Sequence, residues 1–262
     1  MKDITKWTRA DYERSAREYC ASLPLEHFME ATPQATQREI TLESLALVKV
    51  QRPDIQVFNE LLVQYPINAH VAKVVPDNMV VLSDEPILAT GSYNLPFEQV
   101  SPFWVLEYVS EGTPRKDYHD NFQKYQDELK VPYYLLFRPD NLDVQLHHHN
   151  GFQYERVRPN ADGRLSIPNL EIEIALLGGW VRFWYQSELL PLPAELQTQV
   201  DDLSERLDKA ESRMERAEGR AHRQKQRADR EKKRADEATA EVIKLRAMLQ
   251  RMQNPRRRKK GS

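Results

Sequence analysis

Two acids stand in stretches of sequence where acids are expensive. Glu107 lies inside Phe103-Trp-Val-Leu-Glu107-Tyr-Val-Ser110, and Asp77 heads the apolar run Asn78-Met79-Val80-Val81-Leu82. Aromatic and β-branched residues dominate both runs, which predicts pleated, largely buried strands. The alternation places Val105, Glu107 and Val109 on one face, and Leu106 and Tyr108 on the other. A carboxylate there needs a partner or a metal. Two carboxylates on strands, followed by the basic Lys124, suit a divalent-cation site that acts on a phosphodiester. Such a reaction needs charge stabilisation at phosphorus, an activated water and help for the leaving oxygen, all of which one or two Mg²⁺ (or Mn²⁺) supply.

Other polar groups compete for attention. His147-His148-His149 falls in a predicted strand, where adjacent side chains point to opposite faces, so the three imidazoles cannot converge on one ion. Trp180, Arg182 and Trp184 share a strand face; stacking on bases and closing an aromatic sheet are the two readings. Glu60 reads as an edge-strand acid that could also help hold a metal. Gln37, Glu39 and Glu43 are the polar candidates of a helix, against the plain alternative of a solvated face.

The elements that must position the acids follow from turn and cap signals. A short helix is predicted over 8–22, capped by Thr8, and a longer one from Thr32-Pro33 to about Val50. Strands are expected at 56–64 and 69–75, leading into 77–82, with a loop or hairpin excursion over 83–101. A helix over about 115–129 buries Tyr118, Phe122, Tyr125 and Leu129, with Asp117, Asn121, Lys124 and Glu128 on the adjacent stripe. Strands at 132–137, 143–149 and 152–157 follow, the last two joined at Asn150-Gly151, a strong hairpin signal. Strands at 170–176 and 180–185 complete an α/β core.

Pro76-Asp77, Glu107-Tyr-Val-Ser110, Asp117, Lys124, Tyr125 and Val131-Pro132-Tyr133-Tyr134, in that order, resemble the Uma-type restriction endonucleases of the PD-(D/E)xK nuclease superfamily. The resemblance spans roughly residues 25–190, with its diagnostic motifs in 76–140. It implies a restriction-endonuclease-like mixed sheet flanked by helices, with Asp77, Glu107 and the Tyr108 carbonyl as metal ligands. It also implies that the Gln37 and Glu43 helix lies beside the site, with Asp117 and Lys116 as accessory candidates. The chain departs from the pattern at the lysine: Val109 and Asn121 occupy the usual positions, and Lys124, three residues further along the helical stripe, is the catalytic candidate, with Lys116 as the other.

Charge divides the chain. From Pro191 onward there are 20 Lys and Arg against 13 Asp and Glu, while 18 basic and 27 acidic residues precede it. The expected organisation is a domain over 1–190, a Pro-rich linker over 191–194, a helix over 195–253 and a basic tail over 254–262. Leu196, Val200, Leu203, Leu207, Ala210, Met214 and onward to Met252 recur at alternating steps of four and three. That is a coiled-coil seam, thin in its alanine-rich middle, and it predicts a homo-oligomer, a dimer first of all. The single cysteine, Cys20, excludes an intramolecular disulfide and reads as a small buried residue. With no signal peptide and no apolar run of about 20 residues, a soluble cytoplasmic protein without membrane contact is expected. Two functions remain in competition: a Mg²⁺-dependent endonuclease acting on nucleic acid, DNA foremost, as a coil-linked oligomer; or a weak or inactive nuclease-fold binding or scaffold protein assembled by its coil.

Overall fold

The computed structural model describes residues 4–24, 32–89, 91–109 and 115–253, without the side chains of 115–118. It is a mixed α/β fold with several sheets and a long C-terminal helix. Helix α1 (Arg9–Ser22) opens at Thr8, whose N–H and hydroxyl both donate to the Asp11 carboxylate. Tyr12 and Ala16 are its buried residues, and Cys20 is exposed, contrary to the small buried role its apolar neighbours suggested. Helix α2 (Thr32–Gln51) carries Pro33 in its first turn and buries Gln37, Ile40, Thr41, Ser44, Leu45 and Val48.

The run expected as one strand over 56–64 is two. Strand β1 (Ile55–Asn59) ends at Glu60, whose φ of 45° turns the chain, and β2 (Val63–Ile67) begins a different sheet. Strand β3 (His70–Val74) pairs antiparallel with β2, and β4 (Asn78–Leu82) returns to pair with β1. The excursion that follows contains a two-residue strand β5 (Tyr93–Asn94) and the single turn α3 (Leu95–Glu98). Next come β6 (Trp104–Tyr108), α4 (Arg115–Gln123) and a wide π-type turn over Lys124–Glu128. Strands β7 (Tyr133–Arg138), β8 (Asp143–His149) and β9 (Tyr154–Arg156) follow, the last two joined by the Asn150-Gly151 turn. Then come β10 (Leu165–Ile167), β11 (Ile172–Leu177), β12 (Trp180–Tyr185) and β13 (Glu188–Leu189).

Among the described residues the strands form three sheets, not one: β1-β4-β6-β7-β8-β9, β10-β11-β12-β13 and β3-β2-β5. The largest is buried on both faces, which is why its strands read as near-continuous apolar runs. Val80, Trp104, Leu106, Leu135 and Phe137 face a core shared with α2 and the four-stranded sheet. Met79, Val81, Val105, Tyr134 and Leu136 face a second core with Tyr125, Leu129 and the three-stranded sheet. Alternate residues of three neighbouring strands therefore feed opposite cores, so side-chain phase is fixed strongly here.

Arg182 is not free to stack on bases: it is buried, donating to the Leu190 carbonyl and pairing with Glu195 at 3.0 Å. His147 packs among Phe122, Tyr134 and Tyr154, and His148 lies against Tyr133. Helix α5 (Pro193–Gln253) starts inside the expected linker and carries an exposed seam that includes Leu203, Leu207, Met214, Leu245 and Leu249. The tail 254–262 lies outside the described residues. No helix among the described residues is long and apolar enough to cross a membrane.

Candidate active site

Asp77 directly precedes β4, and β4 pairs antiparallel with β6 so that Asn78 lies opposite Leu106. One step further along that register, Asp77 falls opposite Glu107, and residues opposed across antiparallel strands share a face. The two carboxyl groups accordingly hydrogen-bond one another. Each is held by a second donor: the Tyr108 N–H donates to Asp77 Oδ2 at 2.6 Å, and the Tyr125 hydroxyl to Glu107 Oε1 at 2.6 Å. Glu107 is 9% exposed, whereas Asp77 is half-buried, so the pair has an open side at Asp77.

Burial pushes the Asp77 carboxyl up to about 6, opposed by the Tyr108 N–H and by the nearby Arg38 guanidinium. Glu107 is raised well above the ordinary carboxylate range, first by burial and then by the negative charge of Asp77. Burial and the charge of Glu107 raise the Tyr125 phenol too, so it stays a donor. Two acids in one low-dielectric pocket cannot both ionise readily, so each raises the cost of the other's charge.

Helix α2 covers the opposite side of β6. The Tyr108 hydroxyl donates to Asn78 Oδ1 and meets Thr41 Oγ1, both at 2.7 Å, while Gln34 Nε2 donates to the Tyr108 carbonyl at 3.0 Å. Arg38 pairs with Glu60 at 2.8 Å, and the Glu60 N–H donates to the Asp77 carbonyl. The sequence reading missed Gln34, Arg38 and Thr41. A signal was present: with Gln37 they sit at i, i+3, i+4 and i+7, a polar stripe on a helix that also carries a buried apolar stripe.

The other candidates are placed differently. Gln37 is fully buried and bonded to strand β12, its amide donating to the Val181 carbonyl at 3.0 Å and accepting from the Val181 N–H at 2.8 Å. It ties α2 to the four-stranded sheet, so its polar atoms are committed to packing rather than to a metal. Glu43 is exposed, as is Glu39. Lys124 Nζ donates to the Lys73 carbonyl at 3.0 Å, and its surroundings include Tyr19, Lys73, Val75 and Asn121. The Lys124 contact is with backbone, not with either acid. Lys116 and Asp117 lie on α4, and their side chains fall outside the described residues.

Among the described residues no group of three or more His, Cys, Asp or Glu side chains gathers to hold a metal. The donors brought together are the two carboxylates; the Tyr108 carbonyl accepts from Gln34 and keeps a second lone pair. Hard oxygen ligands of this kind fit Mg²⁺ or Mn²⁺, which complete their shells with water. The raised acids point the same way, because a cation would relieve the repulsion that a proton relieves here.

The Uma2 family, described as "Putative restriction endonuclease", matches residues 27–177. No curated protein matches. Among solved structures the chain is similar to a "putative nuclease belonging to DUF820" from Anabaena variabilis ATCC 29413. The two are 21% identical, with a TM-score of 0.40, over 54% of this chain and 75% of that one.

Proposed function

The chain belongs to the Uma2 family, and from that premise we propose that it hydrolyses DNA phosphodiester bonds with a divalent cation held by Asp77 and Glu107. The observation that carries the reading is the pairing of these two acids across β4 and β6, one side open and both carboxyl groups raised by burial. The Tyr108 carbonyl would add a third oxygen. When bound, Mg²⁺ or Mn²⁺ supplies charge stabilisation at phosphorus and acidifies the attacking water.

The chain's own groups orient this site. Tyr125 fixes one Glu107 oxygen and the Tyr108 N–H fixes one Asp77 oxygen, so neither ligand is left to choose among rotamers. Positive charge beside the scissile phosphate falls to Arg38, which already acts on Asp77, rather than to Lys124, whose amine is engaged by the Lys73 carbonyl. In a plasmid-nicking assay with Mg²⁺, Arg38→Gln should lower the rate by about a hundredfold, the scale of losing one charge-stabilising donor. Lys124→Ala should stay within about threefold of the parent on the same reading. A large loss in Lys124→Ala with little in Arg38→Gln would reverse the assignment.

The exposed seam of α5 supports assembly of two copies through a coiled coil, which would bring two catalytic domains to two strands. Deleting 196–262 should leave a folded monomer in sedimentation, because the two cores described above lie within residues 1–195. A truncated chain that still sediments as a dimer would refute coil-driven assembly. The second reading, a nuclease-fold scaffold without turnover, is favoured by one observation: no lysine contact with the acids is found among the described residues. Nicking that depends on Asp77 and Glu107 separates the two.

A further inference from the structure

Helix α5 carries a second periodic pattern, distinct from its apolar seam. Arg206, Lys209, Arg213, Arg216, Arg220, Arg223, Arg227, Arg230 and Arg234 recur at alternating steps of three and four. Nine basic residues therefore form one continuous stripe beside the seam, about 42 Å long at roughly 1.5 Å per residue. All nine are exposed. Lys209 pairs with Glu205, but none of the seven arginines from Arg213 to Arg234 forms an ion pair among the described residues.

The pattern is not ordinary helix solvation. A solvated helix alternates sign at i, i+3 and i+4, so that neighbours attract; here Arg213, Arg216, Arg220, Arg223 and Arg230 have basic residues and no acid at those positions, which destabilises an isolated helix. Acids reach the stripe only toward its ends, at Asp202, Glu205, Glu231 and Glu237; most of the others lie elsewhere. Asp201, Asp208, Glu215, Asp229 and Asp236 occupy one heptad position on the other flank of the seam, interrupted only by His222, with Glu211 and Glu218 beside them. Between 213 and 234 there are ten Lys and Arg against four Asp and Glu. The seam is weakest over the same stretch: Ala217, Ala221, Gln224, Ala228 and Glu231 bury little. In a parallel pair Arg206 and Arg213 would face Glu211 and Glu218 of the second copy, whereas Arg220 and Arg227 would face Lys225 and Lys232. The middle of the helix thus has a cationic face that self-association leaves uncompensated.

We infer that this stripe is a phosphate-backbone-binding face for duplex DNA, centred on Arg220, Arg223, Arg227 and Arg230. Its length matches about 12 base pairs at roughly 3.4 Å per step, and closely spaced guanidinium groups suit a row of phosphates. The choice of DNA as occupant rests on the proposed function; the cationic stripe does not. Contacts of this kind carry no sequence information, so the stripe holds DNA without selecting a site.

The test is fluorescence anisotropy with the full chain and a labelled duplex of about 24 base pairs, in EDTA so that nothing is cut. The variant carries Arg220→Gln, Arg223→Gln, Arg227→Gln and Arg230→Gln together. Affinity should fall at least about thirtyfold at low salt, and the slope of log affinity against log salt should flatten by about three to four. Helicity by circular dichroism should be unchanged. The matching quadruple Arg→Lys variant should retain most of the binding, which separates lost charge from lost structure. Unchanged affinity and slope in the Gln variant overturn the inference, as does equal weakening by the Gln and Lys variants. Because the measurement involves no hydrolysis, a chain that binds through the stripe but never nicks would remove the endonuclease and keep the stripe. A chain that nicks with unaltered binding in the Gln variant would do the opposite.

Discussion

Replacing Glu107 by Gln, or Asp77 by Asn, is expected to lower Mg²⁺-dependent nicking of supercoiled plasmid by on the order of a thousandfold. That scale corresponds to losing several kcal/mol of charge stabilisation at phosphorus, at about 1.4 kcal/mol per factor of ten. Both substitutions are nearly isosteric, so volume and packing stay as they are. Glu107→Gln keeps an acceptor for the Tyr125 hydroxyl, and Asp77→Asn keeps one for the Tyr108 N–H. The loss should therefore appear without unfolding. Nicking at parental rate by both variants would trace the activity to a contaminant and end the endonuclease reading.

The second large effect is on stability, and it needs no substrate. Unfolded, Asp77 releases its proton near 3.8; folded, it keeps it to about 6. Across that interval the folded chain binds more protons than the unfolded one, so stability falls as pH rises through it. Glu107, raised well above 4.5, extends the fall to higher pH. Without metal, the protein should lose on the order of 1 kcal/mol between pH 5 and pH 8 from Asp77, with Glu107 adding to the fall in the same direction. Mn²⁺ at about a hundred times its dissociation constant should return about 3 kcal/mol at pH 8. The gain should be smaller at pH 5, where protons compete for the same oxygens. In Glu107→Gln the pH slope should flatten and the Mn²⁺ effect should largely vanish in thermal unfolding. An equal Mn²⁺ shift in parent and variant would show that the ion binds elsewhere.

The shared face of the candidate site's two acids is legible because strand phase is a local property. Glu107 sits between Leu106 and Tyr108 in an unbroken alternation, and that alternation alone gives its face. The seam of α5 and the Asn150-Gly151 turn were legible for the same reason, since each is written in a short periodic or dipeptide signal. Strand partnership is not local. Residues 56–64 look like one β-run, yet Glu60 at φ 45° divides it between two sheets, and nothing in β-propensity names the sheet a strand will join. Lys124 shows a different limit. Its stripe was extrapolated at steps of three and four, but the helix widens at that residue, the Leu129 N–H reaching back to the Lys124 carbonyl at 2.9 Å. Gln37 shows a third limit: a glutamine at helical spacing looks the same whether it meets water or, as here, the Val181 backbone.

The register between β4 and β6 has a consequence for how relatives of this chain can vary in length. Residues can be gained or lost in the excursion between Leu82 and Trp104 while Asp77 still faces Glu107, provided Asn78 remains opposite Leu106. A single-residue deletion within 78–82 is another matter: it shifts the phase by one, turning the aspartate toward α2 and away from its partner. Length polymorphism should therefore gather in the excursion and be absent from the strand beside it.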